Sequence, residues 1–293
     1  MENYSTYSDS IDRLYFDVYK KINREYIDVF LCGGVSTNKS YIRDRVRLEL
    51  EKHKIRVLYP EDLFMNIMRT KKSMDLLSLE NFLAENSDII CIIPESQGSL
   101  VELGAFSNND KTLDKLFAVI NQVYKGEKSF IMAGPIKYIA KNKDKDRIIF
   151  YDEKNLEKLI KTLVSKFRKY IKTSTNGELN LNTIVGQYYF IQLILYFTKE
   201  LSRDRIDEVI RVIYIKEKYD EDTYNMIFSA AMGLLYKNRY IRKNMQDNKI
   251  LLTDKGNLYV NQVLYSLNIR NKGKLYDWIR YGIMFSEYKT VPL

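Results

Sequence analysis

The sequence predicts an α/β domain built on a parallel sheet, followed by a mainly helical domain. Three observations carry this. Five apolar runs, DVFLC, IRVLY, DIICII, KLFAVIN and RIIFY, alternate with helical stretches between residues 28 and 172. Such alternation implies right-handed crossovers and a parallel sheet covered on both faces. After the polar break KTSTNGELN, residues 172–180, strand signals nearly vanish. The length, 293 residues with 45% hydrophobic and 29% charged side chains, suits two globular domains.

Taken in order, Ile11, Leu14, Tyr15, Val18, Tyr19 and Ile22 stand at helical spacing, an amphipathic opening helix over 9–24. It is counted with the first domain, residues 1–172. Asp28–Cys32 is a buried strand ending at Gly33-Gly34, and a helix over Ser40–Lys54 follows with Ser40 as N-cap. Ile55–Tyr59 is a strand stopped by Pro60. Leu76–Asn86 is helical, Asp88–Ile93 is a strand stopped by Pro94, and a helix opens at Ser99 and runs to Asn108. Lys115–Asn121, Ser129–Met132 and Arg147–Tyr151 read as further strands, before a helix over Glu153–Lys172.

The second domain, residues 181–293, opens on an apolar helix to residue 198. Helical patterns follow at 204–215 and 222–236, then short strands at Tyr240–Arg242 and Ile250–Leu252 flank a polar turn, and a last helix ends near Leu267. Helix, helix and a two-stranded ribbon with a basic tip is the pattern of a winged helix.

Composition excludes several chemistries. Cys32 and Cys91 cannot build a disulfide framework, and both lie in apolar runs, where a reduced buried thiol is the ordinary reading. One histidine, His53 in the solvated run EKHKIR, argues against a zinc site and against a histidine-centred hydrolase. No metal is expected. The N-terminus lacks a signal-peptide pattern and no apolar run reaches the ~20 residues that span a bilayer, so a cytoplasmic protein without membrane contact is expected.

The formal charge is +9, from 47 basic and 38 acidic residues, and it is unevenly placed. Residues 1–150 hold 23 basic and 22 acidic side chains, and residues 237–293 hold 11 and 4. Polyanion contact is therefore expected in the last fifth of the chain, where Lys237, Arg239, Arg242, Lys243, Lys249 and Lys255 surround the recognition helix and wing. The alternative is that these residues are simply a solvated face.

Parallel sheets place ligands at the carboxyl ends of their strands. Three loops fall there: Cys32-Gly33-Gly34, Tyr59-Pro60-Glu61-Asp62, and Pro94-Glu95-Ser96-Gln97-Gly98-Ser99. Neither G-x-x-x-x-G-K-[ST] nor G-x-G-x-x-G occurs, so no nucleotide fingerprint is present. The segment PESQGSLVELGAF, residues 94–106, has two readings. Ser99-x-x-Glu102 satisfies a capping box, which makes Glu102 a structural residue. Alternatively Glu102 is a nucleophile held ionised by the helix N-terminus, and small Gly104-Ala105 admits a flat ligand. Glu61, Asp62 and Glu80 are expected at the same sheet edge, with Asp88 at the opposite one. Carboxylates without histidine suit glycosidic chemistry, in which one carboxylate attacks an oxocarbenium-like centre and another acid assists the leaving group.

These same residues carry a family likeness. Phe30-Leu31-Cys32-Gly33-Gly34, Tyr59-Pro60-Glu61-Asp62-Leu63-Phe64, the helix around Glu80, Pro94-Glu95-Ser96, Gly98-Ser99 and Glu102-Leu103-Gly104-Ala105-Phe106 follow in order. Ser129-Phe130-Ile131 and Gly134-Pro135 close the set. Residues 28–135 thus resemble the nucleoside deoxyribosyltransferase-like domain of retron effectors of the type II-A anti-phage kind. The resemblance implies an N-glycosidase whose nucleophile is Glu102, with Ser99 at a sugar-contacting position and Glu80 as the assisting carboxylate. Gly33, Gly34, Glu61, Asp62, Glu95, Ser96 and Gly98 complete the implied substrate site. The structural alternatives are a helix N-terminus after Pro60 for Glu61 and Asp62, a strand-to-loop turn for Gly33-Gly34, and an exposed helix face for Glu80. Ser96 stands where true transferases carry an acid, which favours hydrolysis over base exchange. The implied substrate is NAD, with no separate cofactor. The implied partners are a reverse transcriptase and its multicopy single-stranded DNA, with a homo-oligomer or filament as a further expectation.

Overall fold

The computed structural model describes residues 2–22, 26–34, 41–59, 75–174 and 179–288. They divide into two compact units, one of residues 26–34, 41–59 and 75–174, the other of residues 2–22 and 179–288. The first helix, α1 (Glu2–Arg13), belongs to the second of these.

The first unit holds β1 (Ile27–Cys32), α2 (Arg43–Glu51), β2 (Ile55–Leu58), α3 (Leu76–Glu85), β3 (Ile89–Ile92) and α4 (Gln97–Ser107). It continues with α5 (Asp110–Leu113), β4 (Leu116–Asn121), α6 (Lys137–Asn142), β5 (Ile148–Tyr151) and α7 (Leu156–Ser174). The five strands are parallel in the order β2-β1-β3-β4-β5. Strand residues alternate between two covered faces. Val29 and Leu31 face one way, into a core shared with Val46 and Leu50 of α2 and Leu159, Leu163 and Phe167 of α7. Phe30 takes the other face, where Phe106 of α4 meets it edge-on at 6.2 Å. By the same alternation Cys32 shares the Phe30 face. The strand order reverses between β1 and β3, so the ligand crevice of this topology opens over the ends of those two strands.

One expected strand is helical instead. Ser129–Met132 begins a helical stretch through a π-type turn, Met132–Ile136, into α6. The Ser129 hydroxyl accepts from the Met132 amide at 3.3 Å and starts this helix, while β5 takes the sheet position beside β4. A four-residue apolar run fits either period.

The second unit contains α8 (Ile184–Thr198), β6 (Glu200–Leu201), α9 (Arg203–Lys216), α10 (Tyr224–Lys237), β7 (Ile241–Lys243), β8 (Ile250–Leu252), α11 (Asp254–Ser266) and α12 (Lys272–Tyr288). Its antiparallel sheet runs β6-β8-β7, the winged-helix arrangement, with a short first strand and a final helix that the sequence patterns did not disclose. The opening segment packs here and not with residues 26–172. Tyr15 and Tyr19 meet Phe190 of α8 at 5.5 and 5.2 Å, Tyr15 Oη donates to Glu217 at 3.1 Å, and Arg13 lies 4.0 Å over Trp278. An amphipathic stripe records that a partner exists, not which one: α12 packs along α1, and α8 receives Tyr15 and Tyr19. Among the described residues no helix is long and apolar enough to cross a membrane.

Candidate functional site

The helix carrying Glu102 begins two residues earlier than its pattern suggests. Ser96, in extended conformation, is its N-cap, and Ser99 occupies the third helical position. The Ser96 amide donates to Ser99 Oγ at 2.9 Å and the Ser99 amide to Ser96 Oγ at 3.2 Å, a reciprocal capping box made by two serines. Ser99 Oγ also donates to the Ser96 carbonyl at 2.9 Å, so this buried hydroxyl is held within the cap. The capping box expected for Ser99 and Glu102 is thereby filled by another pair. Glu102 stands in the second helical turn, beyond the cap.

Leu103 and Phe106, both wholly buried, fasten α4 to the sheet and fix the side on which Glu102 emerges. There its charge acts on Cys32, the last residue of β1. Glu80, from the first half of α3, lies close enough for its charge to act on the same thiol. Burial, and after it the charges of Glu102 and Glu80, push the Cys32 thiol well above its ordinary pKa, so it stays neutral. Thus the two residues assigned catalytic roles converge from α3 and α4 on the end of β1. The α3 helix is set by Asp75, whose carboxylate accepts from the Ser78 amide at 2.8 Å. Sequence reading placed Cys32 in a loop at this edge but took its thiol as core, because an apolar flank reads that way.

Gly33 and Gly34 have a packing reason of their own. A Cβ on Gly34 would fall 1.9 Å from the Tyr41 ring, and one on Gly33 would touch the Arg43 side chain at 3.0 Å. Buried Arg43 stacks on Tyr59 at 4.3 Å, and Tyr59 Oη donates to Asp44 at 2.5 Å. Glu95 ties this loop to β3: its Oε1 accepts from the Ile42 amide at 2.8 Å, and the Arg43 and Gly34 amides also favour its charge. Burial outweighs them and raises the Glu95 pKa. The structure therefore brings Gly33, Gly34, Glu95, Ser96, Gly98 and Ser99 to the β1–β3 edge with Glu102 and Glu80. Glu61 and Asp62 lie outside the described residues.

Gly98 is exposed on the first turn of α4, with only Ser96 Oγ within 4 Å of its Cβ position. Gly104 has nothing within 4 Å. It opens onto a groove of about 420 Å³ walled by Phe130 and Tyr138. Residues two apart on a helix face nearly opposite ways, so this groove lies off the side of α4 that carries Glu102.

The basic residues of the second unit separate by environment. Arg239, Arg242 and Lys243 are exposed at and around β7. Lys249 Nζ is paired with Glu200 at 2.8 Å and Asp247 at 3.4 Å, contacts that raise its pKa. Lys255 Nζ donates to the Asn238 carbonyl at 3.0 Å and closes the end of α10. Lys237 is exposed on the last turn of α10. The α10 helix is buried throughout Met226–Leu235, so its surface is not that of a helix open to a groove of nucleic acid.

Comparison with known proteins bears on this geometry. A family model described as STM3845 retron effector protein matches residues 38–243. Over 116 residues the chain is 42% identical to the "Retron Ec86 putative ribosyltransferase/DNA-binding protein" of Escherichia coli, covering 39% of this chain and 38% of that one. Over 118 residues it is 35% identical to the "Retron Ec73 putative ribosyltransferase/DNA-binding protein" of Escherichia coli, covering 38% of this chain and 37% of that one. The matched segments thus span well under half of either relative.

Proposed function

The chain belongs to the STM3845 retron effector family, and from that premise we propose that its α/β unit is an N-glycosidase acting on NAD. The observation that carries the reading is the Ser96–Ser99 cap, which leaves Glu102 outside the helix start, facing Cys32 and Glu80. The names of the relatives, ribosyltransferase and DNA-binding protein, support both halves of it.

Glu102 attacks the anomeric carbon of the nicotinamide ribose as the C–N bond breaks. Nicotinamide leaves with that electron pair as a neutral molecule, so no general acid is needed. A water then attacks the same carbon, Glu80 accepts its proton, and Glu102 is released as carboxylate. Gly98 and the free amides of the first turn of α4 suit a ribose hydroxyl or phosphate. A purine or pyrimidine leaving group would need protonation, and Glu80 or Glu95 would supply it.

In this reading the winged-helix unit holds the multicopy single-stranded DNA of the retron. Its reverse transcriptase complex restrains the glycosidase until infection, when NAD loss acts as a toxin. The test follows nicotinamide release from NAD by the purified chain, alone and after release from the retron complex, beside Glu102→Gln. Release by the unsubstituted chain and loss of about 10³-fold or more in Glu102→Gln is expected. Equal rates in both overturn the role of Glu102. Release from nucleosides but not from NAD overturns the substrate.

A further inference from the structure

Gly104 is a feature of the sequence that the proposed chemistry leaves unused. Its smallness predicts a flat ligand against α4, yet it looks away from the Glu102 side and onto the groove beside it. A Cβ there would meet nothing within 4 Å, so the backbone of α4 is bare at that point. The groove is walled by Phe130, 83% exposed, and Tyr138, 47% exposed. The Phe130 ring is seated on backbone, since a Cβ on Gly134 would lie only 3.7 Å from it. Two cations complete the groove. Lys137 and Lys141 line it from α6, four residues apart. Residues at that spacing lie about 5–6 Å apart on one helix face, so both ammoniums reach a single anionic group. Among the described residues neither lysine has an ion-pair or hydrogen-bond partner, and none of those lining the groove is acidic. The edge that carries Glu102 is the reverse, a gathering of carboxylates. We infer that this groove is a separate binding site for a mononucleotide, its base against Phe130 and Tyr138 over the bare backbone at Gly104, and its phosphate between Lys137 and Lys141.

The chemistry of the walls selects this ligand. An exposed aromatic face stacks on any base, because every base has a π-face. Two lysines one turn apart suit one phosphate. A nucleic-acid strand needs cations continued along its backbone, and the next lysine in the chain, Lys143, is already paired with Asp114. The volume of about 420 Å³ is that of a small-molecule site.

The inference does not rest on the glycosidase reading. Calorimetric titration of the full chain with AMP and with adenosine tests it, beside Phe130→Ala, the double variant Lys137→Gln with Lys141→Gln, and Gly104→Leu. One saturable AMP site is expected, with adenosine about tenfold weaker for want of the charged contact. Phe130→Ala should weaken AMP about fivefold or more. The double lysine variant should bring AMP down to the affinity of adenosine, and Gly104→Leu, which fills the groove, should remove AMP binding. Phe130 and both lysines are exposed, so their variants decide the matter even where Gly104→Leu does not fold. AMP affinity unchanged by Phe130→Ala and by the lysine pair places the nucleotide elsewhere, the Glu102 edge included, and overturns the inference. Equal affinities for AMP and adenosine in the unsubstituted chain overturn it too, as does binding of oligothymidylate without binding of AMP. Absence of nicotinamide release from NAD, with AMP binding and its loss in the variants intact, defeats the NAD reading and leaves this site standing.

Discussion

Ser96 and Ser99 bind each other's backbone, amide to hydroxyl in both directions, at 2.9 and 3.2 Å. This pair starts the helix on which Glu102 is carried. Ser96→Ala and Ser99→Ala should each cost about 1 kcal/mol, the usual worth of an N-cap. Because each substitution dismantles one shared unit, the double variant should cost less than the sum. Urea denaturation of the three variants gives the comparison, and strict additivity would show that the two bonds act separately.

Gly34 and Gly104 should respond in opposite directions. Gly34→Ala drives a methyl into the Tyr41 ring, 1.9 Å from its nearest atom, and should destabilise by about 1–3 kcal/mol. Gly104→Ala meets nothing within 4 Å and should stabilise by about 1 kcal/mol through helix propensity. Thermal melts of both variants decide the matter. A neutral Gly34→Ala would mean that the loop shifts freely around Tyr41.

Lys115 makes stability depend on alkaline pH. Its ammonium is largely buried and donates to the carbonyls of Glu85 at 2.7 Å and Ser87 at 2.8 Å, closing the C-terminal end of α3. Burial lowers its pKa from 10.5 to about 8, against the raising influence of Asp88 and Glu85. Between those two values the unfolded chain binds the proton that the folded chain has lost, so stability rises with pH across that window. The difference in unfolding free energy between the unsubstituted chain and Lys115→Met should grow by up to about 3 kcal/mol from pH 8 to 10.5. A flat difference would place the ammonium in contact with solvent.

Three exposed cations should dominate any DNA contact. Replacing Arg239, Arg242 and Lys243 together by Gln should weaken binding to the multicopy DNA and lower the slope of log K against log salt by about 2–3. Lys249→Gln should leave that slope nearly unchanged, since Glu200 and Asp247 already hold its charge. A filter-binding series over salt concentration measures both. Equal effects would mean that the ion pairs of Lys249 open on binding.

The alternation of short apolar runs with amphipathic helices was enough to determine the parallel α/β class. The strand ends marked by Gly33, Pro94 and the segment from Pro94 to Phe106 were enough to mark the sheet edge over β1 and β3 at which these loops lie. Those are local signals, since period and punctuation are written within a few residues. What covers what is not local. Tertiary structure alone laid the opening helix along α12 with Tyr15 and Tyr19 against α8, made Ser129–Met132 helical while β5 sits beside β4, and set Ser99 against Ser96 in place of Glu102. It alone brought Glu80 and Glu102, 22 positions apart, to the thiol of Cys32. The reason is that an apolar stripe or a capping residue states a need, and several neighbours can meet it. Only the packed chain, with its buried surfaces matched, decides which one does.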